Sequence, residues 1–405
     1  MANPLDANPG YQAASYIPRP MASPAGPRPL GILRERFPIF QRAIYLNTCS
    51  LGALSGSTRD RILEFLEVWA FRGASAWEDV WLPALQQLRE RYARFVGAGA
   101  QEISLHPSIS GAVAAVAESL DYGRRPEVVS TVLDFPTLTY QWLARRSEGV
   151  RLRLVGSPDQ VGVPLEAMEA AITERTALVA TSQVFFATGA IQDVESLAKL
   201  CHARGARLLV DGYQAAGQVP VDVKRLGVDF YCAGGLKWLL GGSGITFLYA
   251  DADRTSGLEP RVTGWFAHLD PFAFDVGTLE RRSDARRFEA GTPSLAAVYA
   301  QLGALDLLEQ LGPTPIREAT AALTEDLIEE AEAHGLHPKV ASKPEERSGI
   351  VMLPSDDPAG DVRRLANAHI ITDARPGHVR VSPFFYNTLD DHRAAVELLA
   401  SDRRS

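Results

Sequence analysis

Two residues near the middle of the chain have the types and spacing to do chemistry together. They are Asp211 and Lys237, in the stretch RLLVDGYQAAGQVPVDVKRLGVDFYCAGGLKWLLGGSGITFLY that runs from 207 to 249. Arg207 to Val210 is a short apolar run that stops at Asp211, and Asp229 to Cys232 is a second that stops at a Gly pair just before Lys237. Both read as buried strands of an α/β sheet. Ligands of such sheets sit beyond the carboxyl ends of the strands, so the two side chains are expected to face one crevice. A lysine amine can form a Schiff base with an aldehyde, and a carboxylate can hold a ring nitrogen protonated so that the ring accepts electrons. A pyridoxal 5'-phosphate (PLP) cofactor requires both groups. Taken singly they say less, since an Asp after a strand is commonly a turn or cap residue and a Lys near Gly is commonly solvated.

The elements that must position this pair follow from the rest of the chain. Thr58 to Arg72 and Pro83 to Val96 carry apolar residues at helical spacing. Short apolar runs at Ile103 to Leu105, Val128 to Leu133, Arg151 to Val155 and Ala177 to Ser182 alternate with helical patterns, among them Val194 to Arg204. That alternation predicts a mostly parallel sheet. After Ile103 to Leu105 comes His106-Pro107-Ser108-Ile109-Ser110-Gly111 and an Ala/Val-rich helix. Hydroxyls and free N–H groups at a helix start make an anion site, although an ordinary Ser cap would look the same. Leu295 to Leu311 is a long helical pattern that should lead into a smaller C-terminal domain.

Several segments carry a resemblance to a known family. Asp211-x-x-Gln214, Pro220-Val221-Asp222-Val223, Asp229-Phe230-Tyr231 and Gly235-Leu236-Lys237-Trp238 resemble the class V aminotransferase branch of fold-type I PLP enzymes, which includes cysteine desulfurases, kynureninases and isopenicillin N epimerase-like proteins. The resemblance runs from about Tyr45 to Asn387. It implies an α/β fold of type I with a mostly parallel seven-stranded sheet flanked by helices and a smaller α+β C-terminal domain. It also implies that Lys237 carries PLP, that Asp211 pairs with the pyridine nitrogen and that Gln214 touches the phenolic oxygen. Ser108, the Ile109 backbone and Ser110 would cradle the phosphate. Asp134-Phe135-Pro136-Thr137 resembles a kynureninase turn whose aromatic ring stacks on the pyridine, which makes Phe135 the stacking residue and places Thr137 at the cofactor. Thr263-Gly264-Trp265-Phe266-Ala267-His268 resembles another kynureninase segment, whose Trp reaches toward the phosphate. Arg287-Phe288-Glu289-Ala290-Gly291-Thr292-Pro293 matches the family signature whose Thr contacts the phosphate held by the neighbouring subunit, so the resemblance implies a homodimer with shared sites. Tyr45 to Gly52 resembles the entry segment that passes the substrate side of the cofactor, bringing Asn47 and Cys49 there; Cys49 also suits a small buried hydrophobe. Val379-Arg380-Val381-Ser382-Pro383 resembles the closing strand, whose Arg holds a substrate α-carboxylate with a planar fork suited to two hydrogen bonds.

The departures from the family narrow the chemistry. Cysteine desulfurases carry a nucleophilic Cys shortly before the carboxylate-binding Arg, whereas here the interval 370–380 reads IITDARPGHVR. A desulfurase is therefore disfavoured unless Cys49 serves from the opposite side. Near the lysine, Gly234 and Leu236 stand where relatives carry side chains that bind the phosphate. The first reading is a C–S or C–C lyase acting on an amino acid, suggested by the kynureninase-like segments. An aminotransferase or epimerase needs the same lysine and differs in where the proton returns. A non-catalytic protein of the same fold is the third reading, motivated by the thinned phosphate site.

Composition sets outer bounds. A chain of 405 residues with 46% hydrophobic content can bury a large core. The expected division is a flexible tail over 1–30, a segment near the active site over 31–60, a large PLP-binding domain over 61–294 and a small domain over 295–405. A net charge of -8 without a long basic run argues against a nucleic-acid partner. Cys49, Cys201 and Cys232 are scattered, which disfavours a disulfide framework and makes the cytoplasm the expected compartment. No apolar run is long enough to span a membrane and no secretory signal is legible, so a membrane partner is not expected. His334 and His337 have suggestive spacing for a metal but no nearby carboxylate or Cys partner, and no metal is expected. By charge alone, Arg281, Arg282, Arg286 and Arg287 read as a solvated face.

Overall fold

The computed structural model describes residues 31–401, and the tail expected over 1–30 lies outside them. In chain order the strands are β1 (Ile44–Tyr45), β2 (Ile103–His106), β3 (Glu127–Thr131), β4 (Arg151–Val155), β5 (Thr176–Ser182), β6 (Arg207–Asp211), β7 (Phe230–Gly234) and β8 (Thr246–Ala250), then β9 (Val351–Pro354), β10 (Ile370–Ile371), β11 (Asp373–Arg375) and β12 (His378–Val381). Seven of them form the central sheet in the order β2-β8-β7-β6-β5-β3-β4. From β7 to β4 every pairing is parallel, while β8 runs antiparallel to both β7 and β2. The carboxyl ends of β2, β3, β5, β6 and β7 therefore share one edge, with the start of β8 among them. Every residue of β5, β7 and β8 is buried, which is what strands covered by helices on both faces require and why they are almost continuously apolar.

The strand order reverses between β3 and β5. β4 continues outward from β3, whereas β5 returns to its other side and leads on through β6 and β7. A crevice at the carboxyl ends of these strands is the place such a topology offers a ligand. Helices enter the sheet layers with local caps: the Ser55 hydroxyl accepts from the Thr58 N–H, and Asp193 from the Ser196 N–H. Two large apolar clusters cover the two faces of the sheet. A third surrounds β9, β11 and β12, an antiparallel sheet in the order β11-β12-β9. Leu46 belongs to this third cluster, because β1 pairs in parallel with β10. The entry segment is thus fastened to C-terminal elements before it reaches the crevice. Arg287 corrects the reading of the basic cluster as solvated: it is buried, and its Nη2 donates to the Thr255 carbonyl at 2.7 Å.

Candidate active site

Asp211 is the last residue of β6 and stands opposite Cys232 of the adjacent β7. Residue 212 must be glycine, because a side-chain carbon there would lie 2.1 Å from the Tyr231 ring. The loop that carries Lys237 leaves β7 and is tied down on every side. The Gly241 N–H donates to the Gly235 carbonyl at 2.8 Å, and buried Gln301 donates to the Leu239 carbonyl at 3.1 Å. The entry segment closes over it, with the Gly52 N–H on the Leu236 carbonyl at 2.8 Å and a distance of 2.2 Å from a side-chain carbon at 52 to the Lys237 carbonyl. Lysine and entry segment therefore move as one unit.

The slot between them suits a flat heterocycle. Asp211 Oδ1 accepts the Tyr213 N–H at 2.8 Å, and Oδ2 has no hydrogen-bond partner among the described residues. Burial pushes its pKa up to about 6, opposed by that hydrogen bond and by the positive charge of Lys237. Burial likewise pulls Lys237 down to about 8, against the pull of Cys49 and Asp211. Lys237 Nζ stands 5.9 Å from the centroid of Phe135 and 5.1 Å from that of Tyr213. Phe135 is 43% exposed and meets Phe186 edge-on at 5.2 Å, so a ring face is open for stacking. A free carboxylate oxygen, an amine that loses its proton readily and an open aromatic face are the groups PLP needs. The residues present fit it.

Two helix starts converge at the same edge. Ser108 caps the helix Ile109–Ala117 by accepting the Gly111 N–H at 3.2 Å. Ser110 in its first turn meets Thr137, in the first turn of Pro136–Leu143, at 3.1 Å between hydroxyls. The first-turn N–H groups of a helix, here including that of Ile109, have no partner within the helix, so this end of the site has donors suited to an anion. Trp265 is 37% exposed in an aromatic group with Phe266, Phe272 and Phe274, and Thr292 is exposed.

On the substrate side, Arg380 is buried and already engaged. Its Nε and Nη2 bind the two oxygens of Asp373 at 2.9 and 2.6 Å, Nη2 also reaches Ser50 Oγ at 2.7 Å, and Nη1 reaches the Phe186 carbonyl at 2.9 Å. Of the five N–H donors of an arginine, this leaves one on Nη1. Cys49 is fully buried, and burial raises its pKa while Arg380 lowers it. Its Sγ lies 3.8 Å from the side-chain oxygen of Asn47, which places Asn47 beside it in the entry segment. The Gln214 amide accepts from Trp238 Nε1 at 2.7 Å and donates to the Cys49 carbonyl at 3.0 Å, so it braces the entry segment against the lysine loop.

Two further residues stand at the crevice without a role read from the sequence. Asp134 is buried where the strand order reverses and ties β3 to β5, accepting from Ser130, Thr131, Thr181 and Ser182. The DFPT turn was legible, but attention fell on its aromatic residue. Gln183 follows β5, and its Oε1 accepts the Tyr231 hydroxyl at 2.7 Å, which frees its Nε2 as a donor next to Asp211. The polar run Thr181-Ser182-Gln183 at the end of a buried strand was the available signal. Among the described residues no group of three or more His, Cys, Asp or Glu could hold a metal, and no helix is long and apolar enough to cross a membrane.

The family profile described as "Aminotransferase class-V" matches residues 62–390. The chain belongs to the class V aminotransferase family. Its enzymes depend on PLP, which is accordingly the cofactor of this one. The chain is 31% identical to an uncharacterized aminotransferase of Bacillus subtilis over 91% of its own length and 96% of the relative's. It is 30% identical to an isopenicillin N epimerase of Streptomyces clavuligerus, covering 88% of this chain and 94% of that one. Its fold superimposes on an apo cysteine desulfurase of Thermococcus onnurineus with a TM-score of 0.85 at 22% identity, covering 95% and 100% of the two chains. As a class V aminotransferase, the protein differs at the hairpin β11–β12, where Asp373 and Arg375 stand and no cysteine does.

Proposed function

We propose that this class V enzyme removes a proton from Cα of an amino acid and goes on to break a C–S or C–C bond in the substrate's side chain. The observation that carries the reading is Lys237: an amine whose pKa burial lowers to about 8, between an open aromatic face and a buried arginine. Such an amine is neutral in appreciable amount near pH 7 and serves as a general base. When bound, PLP supplies an electron sink for the charge left at Cα. Asp211, through its free Oδ2, holds a proton on the ring nitrogen. Phe135 stacks on the ring, and the helix starts at Ser108 to Ser110 and at Thr137 receive the phosphate. Arg380 orients the substrate carboxylate, with Asn47 and Cys49 lining the same side. Kynureninases are among the relatives, one of them 30% identical over 74% of this chain, which supports the lyase reading.

Cys49 favours a second reading. Its thiol lies close enough to Lys237 for each to shift the other's titration, and an epimerase needs a second group that can return a proton. An aminotransferase would need Lys237 alone. Product analysis over a panel of amino acids separates the three: ammonia with pyruvate, or alanine release, marks the lyase; amino transfer to a keto acid marks the transaminase; racemised substrate marks the epimerase. Lys237→Ala should abolish both turnover and the visible absorbance of lysine-bound cofactor. An unchanged spectrum would remove Lys237 from its role.

A homodimer with shared sites is part of the same proposal. Thr292 and Trp265 lie exposed, and so does Phe274 at 73%, which packs near Trp265, as residues reserved for a neighbouring subunit would.

A further inference from the structure

Tyr213 has no role in the scheme above, yet it lies inside the slot. Its ring is packed over Gly234, so that a carbon placed on residue 234 would be 2.4 Å from the ring edge and 2.8 Å from the hydroxyl oxygen. The phenol thus occupies the volume that a side chain on 234 would otherwise fill, and it has brought a hydroxyl there. Gly234 pairs with Thr246, and Thr246 pairs with His106, so the three make one row across β7, β8 and β2 at the edge where the slot opens. Ser108, the cap of the helix Ile109–Ala117, comes two residues after His106. The Tyr213 hydroxyl faces the Thr246 side chain closely enough to feel its hydroxyl, and the Thr246 Oγ1 is buried with no other hydrogen-bond partner among the described residues. Burial holds the phenol protonated, with its pKa pushed up to about 12. Two hydroxyls that have, among the described residues, at most each other for a partner, in line with a helix start, leave hydrogen-bonding capacity unmet, and unmet polar groups of this kind ask for a ligand.

We propose that the Tyr213 hydroxyl is a phosphate-binding donor for PLP, standing in space for the side chain that Gly234 lacks, with Thr246 beside it. The proposal rests on the cofactor placement given above. It explains why glycine is required at 234 and why the loss of a polar side chain there need not cost phosphate affinity.

The test is cofactor affinity, measured by titrating apoenzyme with PLP and, separately, with pyridoxal, which has the aldehyde and ring but no phosphate. Tyr213→Phe keeps the ring and its packing. It should weaken PLP about 10- to 100-fold, the usual effect of removing one hydrogen bond to a charged group, and leave pyridoxal unchanged. Tyr213→Ala should be weaker still for PLP, and the double variant Tyr213→Ala with Gly234→Ser, whose new hydroxyl enters the vacated volume, should recover most of the loss. PLP affinity unchanged in Tyr213→Phe, or PLP and pyridoxal weakened equally, would overturn the assignment. Wild-type protein that takes up neither compound would instead bring down the cofactor placement, and this proposal with it.

Discussion

Removing Asp373 should expose how Arg380 is meant to be used. The guanidinium is 1% exposed and gives three of its bonds to Asp373 and Ser50, which themselves bond at 2.5 Å. Breaking a buried ion pair from one side costs about 3–5 kcal/mol, because the remaining charge is left without compensation. Ser50 and the Phe186 carbonyl would still hold Arg380, and the Asp373 side chain is 19% exposed. The low end, about 3 kcal/mol, is therefore expected for Asp373→Ala, a loss of roughly 3–4 °C in Tm for a chain of this length. The vacated fork should then accept a small carboxylate. If acetate binds it with a Kd near 1 mM, about 100 mM acetate returns about 2.7 kcal/mol, nearly the whole deficit. Scanning calorimetry of wild type and variant in acetate, against chloride at equal ionic strength, measures this directly. Protection confined to the variant supports Arg380 as a carboxylate receptor that Asp373 fills between turnovers. If the variant melts like wild type, or acetate protects both alike, Asp373 is not competing for that fork and Arg380 is structural.

Three further outcomes follow from the site. Lys237 must be neutral to react with an aldehyde, and with its pKa near 8 about one molecule in ten is so at pH 7, against fewer than about one in a thousand for an ordinary lysine. The rate at which apoenzyme takes up PLP should thus rise with pH and level off above about 8, as stopped-flow absorbance would show; a rise that continues past about 10 would refute the burial argument. The same group affects stability: below about pH 8 the folded protein keeps a desolvated ammonium, and as pH climbs from about 8 toward 10.5 the unfolded chain binds more protons, so this residue's contribution rises over that window. Asp134→Ala leaves the donors of Ser130, Thr131, Thr181 and Ser182 without their acceptor and should cost about 3–5 kcal/mol in urea melts, with Phe135 losing its position and PLP affinity falling with it. For the dimer, Lys237→Ala and Thr292→Ala proteins, each impaired alone, should regain part of wild-type activity when mixed and refolded together, since one of the mixed sites carries both native residues; no recovery would argue that Thr292 serves its own protomer or none.

What was legible in the sequence was what the backbone dictates locally. Apolar runs ending in Asp211 and shortly before Lys237 reported strand ends, and a parallel sheet gathers strand ends whatever the side chains between them do. The Asp373–Arg380 pair was not legible for the opposite reason. Both residues lie in IITDARPGHVR, but only the hairpin register that puts 373 across from 380 makes the acid a rival for the arginine, and a short hairpin does not announce its register in composition. Gln214 could be read as a cofactor contact because its bonds to Trp238 and to the Cys49 carbonyl cross gaps of 24 and 165 residues that no local pattern reveals. Tyr213 is the same case in another form: its meaning depends on the empty volume at Gly234, and a vacancy is invisible until the chain has folded around it.

The electrostatics of the site explain why these non-local partners matter. Burial drives Asp211 upward to about 6 and Lys237 downward to about 8, each toward its neutral form, so the groups that are to meet a charged cofactor are held at the edge of losing charge. A protonated ring nitrogen placed against Asp211 Oδ2 would reverse the first shift, since a buried carboxylate gains from an adjacent cation what it lost in leaving water. On the other side, the Arg380 guanidinium stays protonated, and Asp373 neutralises it until a substrate carboxylate would take over. Burial thus holds Asp211 and Lys237 near their neutral forms, and Asp373 holds Arg380. Affinity for cofactor and substrate then comes from exchanging those arrangements, and a substrate without a carboxylate has nothing to offer in place of Asp373.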